Sequence, residues 1–306
     1  MNNIQHIYFC ADKKYLPCTS ATMASVLANS NAGTSIIFHI ISDDINEEDI
    51  NTLQKLKQIK SCEIILHTIS PDDFEQYKEM DFGYMSLSSL YRFKILDFAP
   101  SDTDKILYLD GDMIVTEALD ELFSTDLQNF YAGAVEEKGA FQAKNLQLKS
   151  QQYFNAGMLL INLKELKNYD LLQKAAKYYS KNKDKIVSHD QDILNGLWDT
   201  KIKFLEQKYN VPSFVKNFRN PTIIHYTGFV KKPWRIYCRH PQKNEWLKYS
   251  QLTPYRKTKK QLKLFKFKRF LSKIFYFAKD PTHQRYYILN IIGMNFGIGK
   301  KDNKLK

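Results

Sequence analysis

The chain has 306 residues, of which 43% are hydrophobic, and this is enough to bury the core of one large domain or of a domain with an appendage. Four scattered cysteines without a C-x-x-C pair argue against a disulfide scaffold or a zinc knuckle, and no stretch approaches the roughly 20 apolar residues that a membrane span requires. The net charge of +12 is concentrated in residues 251–306, which hold 15 Lys and Arg against 2 Asp and Glu, so it is not a nucleic-acid signature for the whole chain.

Short apolar runs alternate with helical patterns through the first half of the chain. The expected strands cover residues 4–10, 36–41, 64–69 and 106–109, and the expected helices cover 16–28, 45–59 and 87–98. This order predicts a Rossmann-like α/β fold with a mixed, mainly parallel sheet flanked by helices. Ligands bind such sheets beyond the carboxyl ends of the strands, so polar residues after the runs are site candidates. These residues are Asp12, Asp43, Asp110 and Asp112.

The second half continues the same alternation. The expected strands cover residues 132–135, 158–161 and 223–226, and the expected helices cover 163–179 and 191–198. The composition changes near Pro254. We therefore divide the chain into a main domain over residues 1–250 and a basic aromatic C-terminal tail over residues 251–306.

The apolar run KILYL at residues 105–109 ends in Asp110, Gly111 and Asp112. Since residues i and i+2 of a strand point to the same side, the two carboxylates can share one hard cation. Carboxylate oxygens suit magnesium or manganese, which keep coordination positions open for phosphate oxygens, and the glycine leaves room for a ligand near the backbone. The same three residues also fit an ordinary polar turn.

The segment HYTGFVKKPW at residues 225–234 combines an imidazole, a glycine and two lysines. His225 can serve as a metal ligand, and Gly228 permits a close approach of the backbone to a ligand. Lys231 and Lys232 offer cations for a diphosphate. The alternative is a basic surface turn before the proline.

Two further segments carry amide and carboxylate side chains, FNAGM at residues 154–158 and HDQD at 189–192. Such side chains bind sugar hydroxyls because they donate or accept hydrogen bonds at fixed angles. For the second segment, the alternative is a helix N-terminus capped by Asp190. Two other nucleotide-binding patterns are excluded, because CADKK follows the first strand in place of G-x-G-x-x-G and the nearest approach to a P-loop, at residues 293–300, has the wrong spacing.

The order and spacing of these four segments resemble glycosyltransferase family eight, whose bacterial members include lipopolysaccharide galactosyl- and glucosyltransferases. The resemblance spans residues 4–235 and includes FCAD at 9–12, Tyr15 and LYRFK at 90–94. It implies a glycosyltransferase A fold and a metal-dependent, retaining transfer of galactose or glucose from a UDP-sugar to a lipopolysaccharide, a lipooligosaccharide or another cell-surface glycan. The non-enzyme alternative is a membrane-associated pseudoenzyme that binds a glycan or a nucleotide.

The resemblance also implies roles for individual residues at the nucleotide. Asp12 would hold the uracil edge, Tyr15 would pack on the base, and Arg92 would brace the nucleotide or a neighbouring aspartate. Manganese, or magnesium in its place, would be held by Asp110, Asp112 and His225. The diphosphate would contact Gly228 and one of Lys231 and Lys232, and Gly111 would also lie against the donor. This choice stays open because the stretch before Pro-Trp is one residue longer here than in the family.

The implied donor-sugar site contains Asn155, Asp190 and Gln191, of which the last two are the candidate catalytic residues. Neither is expected to be a covalent nucleophile, since Gln191 is a poor one and Asp190 is better explained as a sugar ligand. We therefore expect UDP to depart from, and the acceptor to attack, the same face of the sugar. Glu136 would contact the acceptor, although similar galactosyltransferases carry Asp at this position.

Cations and aromatic residues fill residues 256–278 of the tail. Apolar residues recur there at helical spacing: Leu264, Phe267, Leu271, Ile274 and Ala278. This pattern predicts a helix in an anionic membrane interface, with packing on the main domain or a nucleic-acid arm as alternatives. Acceptors in the family are often lipid-linked, and the first ten residues lack the pattern of a signal peptide. We therefore expect a cytoplasmic protein on the inner face of the cytoplasmic membrane, with no nucleic-acid partner.

Overall fold

The structure is a computed structural model that describes residues 3–81, 86–101, 103–212, 215, 218–228, 232–236, 238, 240–279, 286–291 and 294–299, with side chains described as far as residue 272. Lys231, one of the two candidate diphosphate lysines, lies outside the described residues. Before the tail, the described strands are β1 (Asn3–Cys10), β2 (Thr34–Ser42), β3 (Cys62–Thr68), β4 (Lys105–Leu109), β5 (Met113–Val115), β6 (Ala132–Glu136), β7 (Phe154–Asn162), β8 (Ile202–Leu205), β9 (Val211–Pro212) and β10 (Ile223–His225).

Seven of these strands form the central sheet in the order β3-β2-β1-β4-β7-β6-β8. The first four of this order are parallel, β7 is antiparallel to both of its neighbours, and β8 is parallel to β6. The predicted fold class is therefore confirmed. Because β4 lies in the middle of the sheet, Asp110 and Asp112 leave it at the centre of its carboxyl edge.

The α-helices are α1 (Leu16–Asn29), α2 (Glu47–Leu53), α3 (Asp120–Phe123), α4 (Gln142–Asn145), α5 (Leu171–Asn182), α6 (His189–Trp198), α7 (Lys243–Ser250) and α8 (Lys259–Ile274). The 3-10 helices are Gln54–Gln58, Pro71–Tyr77, Leu87–Phe98, Lys183–Lys185, Asp199–Lys201 and Gln207–Tyr209. The helix expected over 45–59 is thus α2 followed by a 3-10 turn.

Two other helices differ from the sequence prediction. The segment Leu87–Phe98 is a 3-10 helix over all of its 12 residues, and three-residue turns align its buried Leu90 and Phe93 on one face. The helix expected from residue 163 begins only at Leu171. There the side chain of Asp170 accepts a hydrogen bond from the backbone of Gln173 and fixes the start, which apolar spacing alone does not reveal.

A small second sheet, in the order β5-β10-β9, lies beyond the carboxyl end of β4. β10 is antiparallel to β5, with Ile223 opposite Val115 and His225 opposite Met113. This register places His225, from late in the chain, beside Met113, the residue that follows Asp112.

Residues of β1 alternate between the two faces of the central sheet, as the period of a strand requires. Ile7 and Phe9 join a cluster with buried residues of α1 and α2. Tyr8 joins the opposite cluster, with residues of Leu87–Phe98, α5 and α6. The sheet is therefore covered on both sides, and its carboxyl edge remains as the place for a site.

In the tail, α8 is followed by a separate antiparallel sheet of β11 (Phe275–Lys279), β12 (Tyr286–Ile291) and β13 (Met294–Gly299). The expected helix therefore ends at Ile274, and Ala278 lies in a strand. α8 packs on the main domain through Phe265, which is buried with Trp246 and Tyr249 of α7. Among the described helices, none is long and apolar enough to cross a membrane.

Three histidines on neighbouring strands form a hydrogen-bonded column. Nδ1 of His6 lies 3.0 Å from Nε2 of His39, and Nδ1 of His39 lies 2.9 Å from Nε2 of His67. The ring of His39 also stacks on Tyr8 at 4.1 Å between centroids. Burial, together with the adjacent His67 and His6, lowers the pKa of His39 to about 3.

The low pKa of His39 makes stability depend on pH. The unfolded histidine, with a pKa of about 6.5, takes up a proton as the pH falls from 7 to 5, whereas the folded His39 stays neutral until about pH 3. The free energy of unfolding therefore decreases as the pH falls from 7 to 5. Between pH 7 and pH 5 we expect the wild type to lose about 2 kcal/mol more unfolding free energy than His39→Gln. Urea unfolding at the two pH values measures this difference, and an equal loss in both proteins would contradict it.

Candidate active site

Asp110 and Asp112 follow β4 directly, and His225 ends β10. The register of β10 on β5, together with a 3.1 Å hydrogen bond from Tyr226 N to the carbonyl of Asp112, draws the two segments together. Nε2 of His225 lies 3.4 Å from Oδ1 of Asp112 and 3.7 Å from Oδ2 of Asp110. The structure thus brings together the three residues predicted as metal ligands, with one ligand atom of each within 4.8 Å of the others.

The chemistry of this triad fits a divalent cation with oxygen and imidazole ligands. Nδ1 of His225 lies 3.0 Å from Oδ1 of Asn210, whose Nδ2 donates to Oδ1 of Asn155 at 2.9 Å. Because Asn210 Oδ1 is an acceptor, the network assigns the proton to Nδ1 of His225. Nε2 then presents its lone pair toward the two carboxylates, which is the tautomer that coordinates a metal.

Gly157 of β7 makes the convergence sterically possible. A Cβ at this position would lie 2.5 Å from Cε1 of His225 and 2.8 Å from Oδ2 of Asp110. The carbonyl of Gly157 also accepts the backbone N–H of Asp110 at 2.8 Å. The sequence analysis assigned only Asn155 of FNAGM to the sugar site, and the place of Gly157 behind the acidic pair depends on strand pairing that no local motif shows.

Arg92, from the 3-10 helix Leu87–Phe98, is buried between two carboxylates. Its Nη2 lies 3.0 Å from Asp110 and its Nε lies 3.1 Å from Asp190, while Nη1 donates to the carbonyl of Ala156 at 2.7 Å. Burial lowers the pKa of Arg92, but the neighbouring anions outweigh burial and raise it, so the guanidinium is charged. Arg92 therefore braces aspartates, which is one of the two roles that the family resemblance implied.

The capping alternative for Asp190 is wrong. The N-cap residue of α6 is Ser188, and the carboxylate that serves this helix end is Asp192, which accepts from Val187 N at 2.7 Å and Ser188 N at 2.6 Å. Asp190 turns toward Arg92 instead. Burial raises the pKa of the Asp190 carboxyl against the opposing effect of the arginine.

Lys232 pairs with Oδ2 of Asp112. Burial by itself raises the pKa of the Asp112 carboxyl, but the neighbouring positive charge of Lys232 opposes burial, and the pKa lies well below its usual range. A lysine is thus placed directly at the acidic pair. Gly228, between His225 and this lysine, has a left-handed φ of +76°, and no atom of the described residues lies within 4 Å of a Cβ built there.

Two of the three predicted donor-sugar residues, Asn155 and Gln191, meet at a carboxylate that the sequence prediction missed. Oε2 of Glu137 accepts from Nδ2 of Asn155 at 3.0 Å and from Nε2 of Gln191 at 3.2 Å. Gln191 also donates to the hydroxyl of Tyr153 at 3.1 Å and accepts from Ala156 N at 2.9 Å. Glu136, the predicted acceptor contact, ends β6 opposite Phe154. Successive side chains at the end of a strand point to opposite sides of the sheet. The sequence alone therefore does not tell whether Glu136 or Glu137 faces these amides.

Asp12 and Tyr15 lie at the carboxyl end of β1, next to β4 in the sheet. Oδ1 of Asp12 accepts from Tyr15 N at 2.8 Å, and the Tyr15 ring meets Trp234 edge-on at 5.5 Å. Gly111, whose contact with the donor stays a prediction, also has a packing role. A Cβ there would lie 2.3 Å from Oγ1 of Thr19, so the glycine lets α1 pack against the acidic turn.

Comparison with known proteins gives consistent results. The family model for Glycosyl transferase family 8 matches residues 6–238. The chain is 32% identical over 255 residues to glycosyltransferase GlyA of Streptococcus pneumoniae, a match that covers 80% of this chain and 34% of that longer protein. It is 27% identical over 266 residues to lipopolysaccharide 1,2-glucosyltransferase of Escherichia coli, covering 80% of this chain and 77% of the relative.

Among solved structures, the chain resembles galactosyltransferase LgtC in complex with donor and acceptor sugar analogues. The TM-score is 0.72 and the sequence identity is 26%, with 80% of this chain and 95% of that chain covered. The similarity therefore extends over nearly the whole of the known galactosyltransferase structure.

The tight space at Gly157 yields a prediction for metal binding. Gly157→Ala should push His225 and Asp110 apart and weaken Mn²⁺ binding by about tenfold or more, as displaced metal ligands do. Calorimetric titration with Mn²⁺ measures the affinity. Gly33→Ala is the matched control, since a Cβ at that position has no atom of the described chain within 4 Å. Equal Mn²⁺ affinity in both variants would contradict the arrangement.

Proposed function

The chain belongs to glycosyl transferase family 8, and we propose that it transfers galactose or glucose from a UDP-sugar to a glycan acceptor with retention of the anomeric configuration. The observation that carries the proposal is the convergence of Asp110, Asp112 and His225 beside Lys232. Relatives named for lipopolysaccharide glucosyl and galactosyl transfer support a hexose donor and a lipopolysaccharide or lipooligosaccharide acceptor. An intact acidic pair with its imidazole favours an enzyme over a pseudoenzyme.

The leaving group of this reaction is a nucleoside diphosphate, whose negative charge grows as the sugar–phosphate bond breaks. Asp110, Asp112 and His225 would hold manganese or magnesium, and a bound cation would neutralise part of that charge. Lys232 adds a second positive charge at the same place. Its ammonium group, which pairs with Asp112, can bind a phosphate oxygen of the donor in place of that carboxylate. These charges stabilise the transition state more than the ground state, which is the condition for a faster reaction.

The donor is held by residues on both sides of this charged centre. Asp12 and Tyr15 would take the uracil, and Asn155, Asp190 and Gln191 would take the sugar. Glu137 orients the two amides, because its carboxylate accepts from both Asn155 and Gln191.

The contacts of Asp190 and Gln191 support a reaction in which the acceptor attacks and UDP departs on the same face of the sugar. Asp190 is engaged by Arg92, and the amide of Gln191 is fixed through Ala156, Tyr153 and Glu137, so neither is placed as a free nucleophile. A phosphate oxygen of the donor would then take the proton of the acceptor hydroxyl. Glu136, which ends β6 next to Glu137, is our proposed acceptor contact.

A panel of UDP-sugars with Mn²⁺, scored for UDP release with and without glycan acceptors, tests the proposed reaction. We expect acceptor-dependent release with UDP-galactose or UDP-glucose. Asp110→Asn should reduce it by about 100-fold or more, because the metal loses a carboxylate ligand. Asp104→Asn is the control, since Asp104 is an exposed carboxylate paired with Lys164 at 2.6 Å. Full activity in Asp110→Asn, or UDP binding without turnover in the wild type, would contradict the proposal.

We also propose that the tail attaches the enzyme to the inner face of the cytoplasmic membrane and takes no nucleic acid. Leu264, Phe267 and Phe270 of α8 are 50%, 56% and 57% exposed, although they are large and apolar. Exposed lysines flank them at positions 260, 263 and 266. An apolar strip between cations is the form that binds an anionic interface, with about 1 kcal/mol from each cation near the surface.

Sedimentation with vesicles that contain phosphatidylglycerol tests the attachment. The variant Leu264→Gln/Phe267→Gln should sediment at least about tenfold less strongly than the wild type, because it loses apolar area without a change of charge. The variant Phe141→Gln/Val187→Gln removes two apolar residues of similar exposure, 64% and 54%, from the main domain and should sediment like the wild type. Equal behaviour of the two variants would overturn the assignment of α8.

A further inference from the structure

A groove of about 520 Å³ lies between α7 and α8, outside the candidate active site. Four of its lining residues are cations, Lys243 and Lys248 from α7 and Lys266 and Arg269 from α8, and no Asp or Glu lines it in the described part of the chain. The remaining lining residues are Asn244, Leu247, Gln251, Leu262 and Phe270. The groove is therefore a concave surface with one sign of charge, which concentrates anions.

Arg269 forms the inner wall of this groove and is 6% exposed. Its Nη2 donates to the carbonyl of Pro233, and its guanidinium lies over the ring of Phe265, with Cζ 4.6 Å from the centroid. The guanidinium is thus held in place. Its Nε and Nη1 are buried and have no hydrogen-bond partner among the described residues.

Unfilled donors on a buried cation are costly, because neither water nor an anion replaces the solvation that burial removes. Neither Nε nor Nη1 is reached from the groove, so Arg269 contributes its positive charge and not a hydrogen bond, and an anion in the groove would offset the cost of burying that charge. A phosphate group fits best, because its negative charge matches the buried guanidinium and its oxygens accept hydrogen bonds from the lysines that line the groove.

The rim of the groove also bears on the chemistry of a ligand that would carry such a phosphate. Phe270 lines the groove and is 57% exposed, and it continues the apolar strip that includes Phe267. A free phosphate would leave this apolar surface in water. A phosphorylated amphiphile would cover it and fill the groove at once.

We propose that the groove between α7 and α8 is a binding site for the headgroup phosphate of an anionic phospholipid, whose acyl chains lie along the exposed apolar strip of α8. This site rests on the membrane attachment proposed above, but it is a single saturable pocket and not a diffuse attraction of the tail to the bilayer. In diffuse attraction, every lysine of α8 contributes about equally to the membrane affinity, whereas binding in the pocket depends on the lysines that line it.

Two charge-matched variants of the full chain separate these cases. Lys248→Gln/Lys266→Gln removes two exposed lysines that line the groove, and Lys260→Gln/Lys263→Gln removes two exposed lysines of α8 that do not. Binding is measured by sedimentation with vesicles of phosphatidylglycerol in phosphatidylcholine. We expect the groove variant to lose at least about ten times more affinity than its control. An equal loss in both variants would overturn the pocket and leave only surface charge.

Calorimetry with dihexanoyl phosphatidylglycerol below its micellar concentration distinguishes a lipid from a free anion. We expect saturable binding of one lipid per chain, weakened in the groove variant, and weaker binding of inorganic phosphate. Phosphate that binds as tightly as the lipid would overturn the lipid assignment. UDP release with a water-soluble acceptor, measured without vesicles, should be the same in both lysine variants and the wild type. Failure of the transferase proposal is therefore seen in a separate assay.

Discussion

The pairing of β10 with β5 is the constraint on which the rest of the site depends. It sets His225 opposite Met113 and so holds an imidazole against two carboxylates that leave the centre of the main sheet. Two carboxylates this close repel each other unless positive charge lies between or beside them. Arg92 meets Asp110 and Lys232 meets Asp112, and the lone pair of His225 Nε2 completes a set of ligands for a cation. The chemistry of the site follows from this concentration of charge.

The surrounding network keeps the charged groups in place. Arg92 spans Asp110 and Asp190, so one buried guanidinium links the acidic turn to the start of α6. Glu137 performs the corresponding task for neutral groups, since it fixes the amides of Asn155 and Gln191. Preorganised dipoles and charges of this kind are a main source of transition-state stabilisation in enzymes.

Much of this arrangement could be predicted from the sequence, because the carboxyl ends of parallel strands meet at one edge and polar residues after apolar runs are visible in the chain. The sheet and the meeting of Asp110, Asp112 and His225 followed from that rule and from the family resemblance. Glu137, Gly157 and the packing of Gly111 on Thr19 could not be predicted, since they depend on which side chain faces which neighbour. The late start of α5 was hidden by the cap at Asp170, and the sequence did not separate the packed face of α8, with Phe265 and Arg269, from its exposed strip.

The most direct measurement is a crystal structure of the protein with Mn²⁺ and UDP, in which anomalous scattering locates the metal. We predict one Mn²⁺ ion within about 2–2.5 Å of Asp110, Asp112 and Nε2 of His225, with the diphosphate oxygens completing its coordination. An ion bound elsewhere, or a diphosphate bound while His225 stays outside the coordination sphere, would contradict the role that we give to the β5–β10 pairing.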